Sequence, residues 1–334
     1  MSAVFQAPWI ARQATDLLGQ RGHAWLLQGP SGLGQYELAL ALVSAWLCEN
    51  PTPKGACGVC SSCHAIAVHT HADLEVLMPE TVMIELGWPL SEKAQDEIDK
   101  KTRKPSKEIR VDAMRDAVEF SQRTDARGRG KAVLVFPAER MNTIAANALL
   151  KTLEEPPGHV RFVLATEASH MLLPTIRSRC LAHTMKWPEA SEALVWLAEQ
   201  GLASDDAQNL LRSAGGRPAD VLSLSGSGLS PDWWSHFPQA MRQGDARHLA
   251  DLHPAQAIDA LQKLCHDLVL RQSGAEPRFF EKSQLPSSNA SLSVLTEWFK
   301  RLMQSARTAE HPFNAGLMLE ALTADAHQTL MSKG

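Results

Sequence analysis

A strand-like run, a glycine-punctuated loop and a helix stand back to back near the N-terminus, and few folds accommodate that order. His23–Gln28 (HAWLLQ) is a short apolar run, Gly29 to Tyr36 (GPSGLGQY) is the loop, and Glu37–Leu47 has helical composition. Three more short apolar runs follow, at Asp73–Met78, Ala132–Phe136 and Arg161–Ala165, each bounded by turn or charged residues, with helical stretches between them. Such alternation implies a parallel sheet covered by helices on both faces. Thr143–Glu155 reads as a helix with Leu149, Leu150 and Leu153 on one stripe. Pro156-Pro157 stops it, because proline has no backbone N–H to give.

Beyond about residue 188 the strand signals end. Ser191 can cap a helix that ends at Gly201, and Ser204-Asp205-Asp206 can start another that ends at Gly215-Gly216. Ile258, Leu261, Leu264 and Leu268 repeat at helical spacing, as do Leu292, Leu295, Trp298 and Leu302, then Leu319, Leu322, Ala326 and Leu330. The expected fold class is α/β followed by all-α. The paired aromatics Trp233-Trp234 and Trp298-Phe299 are expected in the core, where large side chains at helical spacing usually pack. Residues 81–108 mix both charge signs with few apolar anchors and read as an exposed, partly mobile insertion.

The 334 residues allow two or three domains, and 44% hydrophobic with 21% charged residues is ordinary for a soluble protein with a real core. A net charge of −4 argues against coating nucleic acid through bulk charge, while leaving room for a local basic face. The start, MSAVFQAPWIARQ, lacks the basic-then-apolar pattern of a signal peptide. Leu38–Cys48, the longest mainly apolar run, is far short of the roughly 20 residues of a membrane span. A cytoplasmic location without membrane association is expected.

The loop fits G-x-x-x-x-G, from Gly29 to Gly34 with Gly32 inside. Backbone N–H groups and a helix N-terminus at such a loop cradle phosphate. The chemistry also needs a lysine on the β/γ-phosphates and a small hydroxyl on Mg²⁺. Gln35 and Tyr36 occupy those positions. The segment is either a glycine-rich turn or a degenerate phosphate loop, and its place between strand and helix favours the second. ATP hydrolysis further needs carboxylates at the end of a second core strand. Val133-Leu134-Val135 runs instead into Phe136-Pro137-Ala138, with Glu139 beyond the proline. Two independent losses imply a chain that does not hydrolyse ATP.

Cys48, Cys57, Cys60 and Cys63 form C-x8-C-x2-C-x2-C, four of the chain's six cysteines. In a cytosolic chain that clustering points to a metal before disulfides or idle thiols. Zn²⁺ favours four thiolates in a closed tetrahedron, a structural rather than a catalytic site. An iron–sulfur cluster is the rival.

Asn147-Ala148-Leu149-Leu150-Lys151-Thr152-Leu153-Glu154-Glu155-Pro156-Pro157, Phe162-Val163-Leu164-Ala165-Thr166 and Ile176-Arg177-Ser178-Arg179-Cys180 together resemble bacterial clamp-loader subunits of DNA polymerase III. The resemblance is clear over residues 1–220 and weaker beyond, and the cysteine spacing matches the family's zinc module. It implies a RecA-like AAA+ domain over 1–166 with the zinc module (48–63) embedded, a small helical lid over 167–208 and a helical collar over 209–334. It implies an open ring of five subunits that loads the sliding clamp on primed DNA. The partners would be the gamma/tau ATPase subunit and the delta subunit. The lost lysine and acid suit the family's non-ATPase stator, a component of the polymerase holoenzyme rather than an enzyme by itself. Arg179, between Ser178 and Cys180, is then the arginine that reaches a neighbour's γ-phosphate; arginine stays charged and offers a planar donor fork. Thr166 and Arg217 resemble the two sensor positions, and Arg177 is either a second contact in trans or a flank. The rival readings are a non-replicative, nucleotide-dead AAA-like assembly scaffold, a zinc enzyme, which four cysteine ligands disfavour, and an active ATPase, which Gln35 disfavours.

Overall fold

The computed structural model describes residues 7–226, 229–309 and 314–332. It divides into two compact units, residues 1–192 and 193–334. The first is built on five parallel strands: β1 (Ala24–Gln28), β2 (Leu74–Leu77), β3 (Lys131–Val135), β4 (Val160–Thr166) and β5 (Leu181–Thr184). Their order in the sheet is β2-β3-β4-β1-β5, so β4 lies between the strand that leads into the glycine loop and β3. All of β3 and most of β1 and β4 are buried, as expected of central parallel strands, which read as continuous apolar runs.

β5 was not visible in the sequence. Its residues, LAHT, are mostly exposed, and its place comes from pairing with β1, Trp25 against Leu181 through Gln28 against Thr184.

Helices α1 (Pro8–Leu18), α2 (Gln35–Leu47), α3 (Ser61–Ala67), α4 (Glu80–Glu85), α5 (Glu92–Asp99), α6 (Val111–Gln122), α7 (Thr143–Glu154) and α8 (Pro174–Arg177) complete this unit. The Asn142 side chain accepts from the Ala145 N–H at 2.9 Å and starts α7, the usual N-cap device. Leu149 and Leu153 of α7 pack with Leu26, Val133, Phe162, Leu164 and Ile176 in one buried cluster. Each such side chain contributes about 1.5–3 kcal/mol relative to exposure.

Residues 81–108 depart from the expected loose insertion. They hold α4 and α5, bury Trp88 and Ala94, and close on an ion-pair network. Glu80, 6% exposed, accepts from Arg103 Nη1 and Nη2 at 2.5 and 2.8 Å and from the Ser106 N–H at 2.8 Å, while Arg103 Nε donates to Glu97 at 2.6 Å. Most side chains of 91–108 are exposed, as expected, but Glu80, Arg103 and Glu97 are paired with one another instead of simply solvated.

From α9 (Ala190–Glu199) onward the described residues are helical: α10 (Ser204–Ser213), α11 (Pro218–Gly226), α12 (Pro231–Gln243), α13 (Pro254–Gln272), α14 (Leu292–Thr308) and α15 (Ala315–Met331). Ser191 lies inside α9 and does not cap it, because the helix already begins at Ala190. The second unit's core joins Leu261, Leu264 and Leu268 of α13 to Leu295, Trp298 and Leu302 of α14 and Leu319, Leu322 and Ala326 of α15. Trp234 is buried as expected, but Phe299 is 37% exposed; one step past Trp298, it turns off the buried stripe. Asp267, fully buried, accepts the N–H groups of Arg278, Phe279 and Phe280 at 2.7–2.9 Å and so fixes the chain after α13.

Candidate functional site

The glycine loop lies at the C-terminal end of β1, where ligands of open parallel sheets bind. Gly34, at φ 91°, takes the left-handed conformation that lets the chain enter α2. A Cβ on Gly29 would stand 2.9 Å from the Met185 side chain, so the loop start is tightly covered. Gln35 is 2% exposed, and its amide Nε2 donates to the carbonyls of Gly29 and Pro30, both at 2.7 Å. The side chain at the lysine position ties the loop to itself and carries no charge toward a phosphate.

Tyr36 and Phe136 stand at the two positions that would ligate or prepare Mg²⁺, and they pack on each other, ring centroids 5.4 Å apart. The Tyr36 hydroxyl accepts from Trp88 Nε1 at 2.7 Å, and the Trp88 ring stacks on His69 at 3.9 Å. Burial pushes the Tyr36 phenol up to about 12, so it stays neutral. The acid beyond the proline is committed elsewhere: Glu139 accepts from Thr166 Oγ1 at 2.7 Å and from the Glu167 N–H at 3.2 Å. Thr166, fully buried at the end of β4, therefore bonds to the protein itself.

The four cysteines converge. Cys48 ends α2, Cys60 caps α3, and Cys63 lies in the first turn of α3. Their sulfurs all lie within 4.8 Å of one another, with Cys48–Cys60 at 3.8 Å, Cys57–Cys63 at 4.0 Å, Cys48–Cys63 at 3.7 Å and Cys60–Cys63 at 3.4 Å. A tetrahedron with metal–sulfur bonds of about 2.3 Å has edges of about 3.8 Å. The cluster can thus hold one metal ion. A multi-iron cluster fits less well, because it binds its thiolates through separate irons and spreads them farther apart. Burial opposes the Cys60 thiolate, but N–H donors, that of Cys63 among them, still bring it down to about 6; burial pushes Cys63 up to about 12. Next to Cys48, Glu49 accepts from Ser61 Oγ at 2.6 Å, from the Ser62 N–H at 3.2 Å and from Arg127 Nη1 at 3.1 Å. The Arg127 N–H in turn donates to Asp73 at 3.0 Å. The cysteine loop is thereby tied to the residue that precedes β2.

Arg179 follows α8 and folds against the body of its own unit. Its Nε and Nη2 donate to Glu154, the last residue of α7, and its Nη1 donates to the Thr175 carbonyl at 2.8 Å. Ser178 Oγ donates to the same carbonyl at 3.2 Å, and burial pushes the Cys180 thiol up to about 12. Arg177 is exposed. Arg217, in the second unit, donates through Nε to the Ala214 carbonyl at 2.9 Å and pairs with Asp220 at 2.8 Å.

A family model described as "DNA polymerase III, delta subunit" matches residues 13–189, more than half of the chain. The chain belongs to the delta-prime family of DNA polymerase III subunits. The delta-prime subunit of Pseudomonas aeruginosa is 39% identical over 227 residues, 66% of this chain and 62% of that protein, so the match spans under two thirds of that relative's length. The delta-prime subunit of Yersinia pestis is 34% identical over 303 residues, 84% of this chain and 81% of that protein. The tau subunit of Escherichia coli is 31% identical over 253 residues, 74% of this chain and 35% of that protein. As a member of the delta-prime family the first unit is a RecA-like AAA+ module.

Sequence reasoning missed the partners that define these features: Trp88 over Tyr36, Phe136 against Tyr36, and Glu154 under Arg179. Phe136 had a signal, an aromatic where the strand should end in an acid. Trp88 and Glu154 had none, because their contacts are long-range in sequence.

Proposed function

We propose that this chain is the non-ATPase stator of the DNA polymerase III clamp loader, acting in trans through Arg179 on ATP bound by a neighbouring ATPase subunit. The observation that carries the reading is the aromatic pair of Tyr36 and Phe136. Mg²⁺ needs a small hydroxyl and a carboxylate there, and two packed rings supply neither. The Gln35 amide, bonded inside the loop, supports the same conclusion. The chain's remaining contribution to phosphoryl transfer is a cation, and arginine fingers contribute roughly 10³–10⁵ in rate.

In this reading gamma/tau is the ATPase neighbour and delta lies across the gap of a five-membered ring. The loader places the sliding clamp on primed DNA during replication, and the subunit is part of the DNA polymerase III holoenzyme without polymerase or ATPase chemistry of its own. Residues 167–208 serve as the lid and 209–334 as the collar that holds the ring. One structural Zn²⁺ sits on Cys48, Cys57, Cys60 and Cys63. No helix among the described residues is long and apolar enough to cross a membrane, in keeping with work on DNA in the cytoplasm. Thr166 and Arg217, bonded within the chain, act as structural remnants of sensors.

The test is ATP turnover by the reconstituted loader with clamp and primed DNA, comparing wild type with Arg179→Ala. A large fall in turnover with the ring intact by gel filtration supports the reading. Unchanged turnover reduces the chain to a scaffold, and failure of the wild-type chain to join clamp-loader subunits favours the non-replicative scaffold.

A further inference from the structure

Arg179 is a braced side chain. A guanidinium has five N–H donors in one plane. Glu154 takes one from Nε and one from Nη2, and the Thr175 carbonyl takes one from Nη1. Among the described residues two donors remain, one on each terminal nitrogen, and guanidinium donors of this kind bind phosphoryl oxygens. The side chain is 29% exposed, so the body of the protein restricts its rotamers while leaving it reachable.

Glu154 is an odd choice for the last residue of α7 on local grounds. The C-terminus of a helix carries partial negative charge and favours cations over carboxylates. Its side chain is half-exposed and hydrogen-bonds to Arg179. Both residues follow core strands of the same sheet, α7 after β3 and α8 after β4, and the buried Leu149, Leu153 and Ile176 hold those two helices in the common core. The brace therefore stands on the rigid part of the unit.

We propose that Glu154 is a positioning residue. It holds the Arg179 guanidinium by its Nε–Nη2 edge and presents the two remaining donors to a phosphoryl group brought by a neighbouring subunit. This inference rests on the reading of Arg179 as a trans-acting arginine. The brace removes part of the entropy an unrestrained arginine would lose in the transition state, and the Thr175 carbonyl holds the same guanidinium from a second side.

The experiment is quench-flow ATP hydrolysis by the reconstituted loader with clamp and primed DNA, read in the phase that Arg179→Ala slows. Four chains are compared with wild type: Arg179→Ala, Glu154→Ala, Glu154→Gln and the Arg179→Ala/Glu154→Ala double variant. Misplacing a catalytic group by about 1 Å can cost 10²-fold, so Glu154→Ala is expected to slow that phase by roughly 10- to 100-fold with KM for ATP unchanged. Glu154→Gln keeps an acceptor oxygen and recovers part of the rate. The double variant is no slower than Arg179→Ala, because Glu154 acts only through the arginine.

A wild-type rate for both Glu154 variants beside a slow Arg179→Ala overturns the positioning role and leaves the trans arginine standing. An equal further slowing by Glu154→Ala in the Arg179→Ala background also overturns it, since the carboxylate would then act by another route. A wild-type rate for Arg179→Ala overturns both. Where Glu154→Ala does not assemble, Glu154→Gln decides by the same outcomes.

Discussion

Removing one oxygen from Tyr36 isolates the bond between α2, after the glycine loop, and Trp88. In Tyr36→Phe the ring stays against Phe136 (centroids 5.4 Å), and only the hydroxyl that accepts from Trp88 Nε1 at 2.7 Å is lost. Tyr36 and Trp88 are 9% and 8% exposed, so the indole N–H is left with little access to water. A buried donor deprived of its partner costs about 1–3 kcal/mol. The residual exposure of Trp88 places the expected loss toward the lower end, about 1–2 kcal/mol. For a unit of this size each kcal/mol shifts Tm by roughly 2–4 °C, so the first unit should melt about 2–8 °C lower. Differential scanning calorimetry reads the shift, and tryptophan fluorescence at the same temperature reads the environment of Trp88. Because the ring remains, Mg²⁺-dependent ATP binding should not appear. A variant that melts at or above the wild-type temperature would refute the reasoning, since the hydroxyl would then not be holding Trp88 in place.

The cysteine cluster should hold about one zinc per chain by elemental analysis, Cys60→Ser should lose it, and a strong chelator should lower Tm in the wild type alone; visible absorbance would point to iron instead. Glu75 gives a pH test. Burial first, then the nearby Asp116 carboxylate, raise its pKa to about 7, above the usual carboxylate value of about 4.3. Between those values the unfolded chain has released the proton and the folded chain has not, so stability is lost as pH rises through that window, by at most about 4 kcal/mol. Glu75→Gln should therefore gain stability over wild type between pH 4.5 and 8, measured by urea unfolding; an equal difference at both pH values contradicts the assignment.

Strands β1, β3 and β4 were legible because central parallel strands are apolar along most of their length, as in HAWLLQ or KAVLVF; β2, at the sheet edge, was legible only because its own short run is apolar. β5 was not, because an exposed edge strand owes its place to register against β1 and carries no pattern of its own. The absence of a lysine and a small hydroxyl from the glycine loop was legible at Gln35 and Tyr36, since the spacing of a phosphate loop fixes which residue would meet which phosphate. How the space is filled was not, because Tyr36, Trp88 and Phe136 come from three separate segments. The same holds for residues 81–108, where charge composition suggested solvation and the Glu80–Arg103–Glu97 network is an arrangement of paired charges. Arg179 was singled out by its motif, but Glu154, within another motif read as a helix end, gave no sign that it would hydrogen-bond to the arginine.

ATP turnover by the purified chain, alone and then mixed with the gamma/tau subunit proposed as its ATPase neighbour, tests the account most directly. The expected result is no turnover alone and stimulation of the partner that Arg179→Ala abolishes. Turnover by the chain alone that disappears on substitution of Gly34 would contradict it, because a working phosphate loop would then exist without the lysine, small hydroxyl and acid that the chemistry needs.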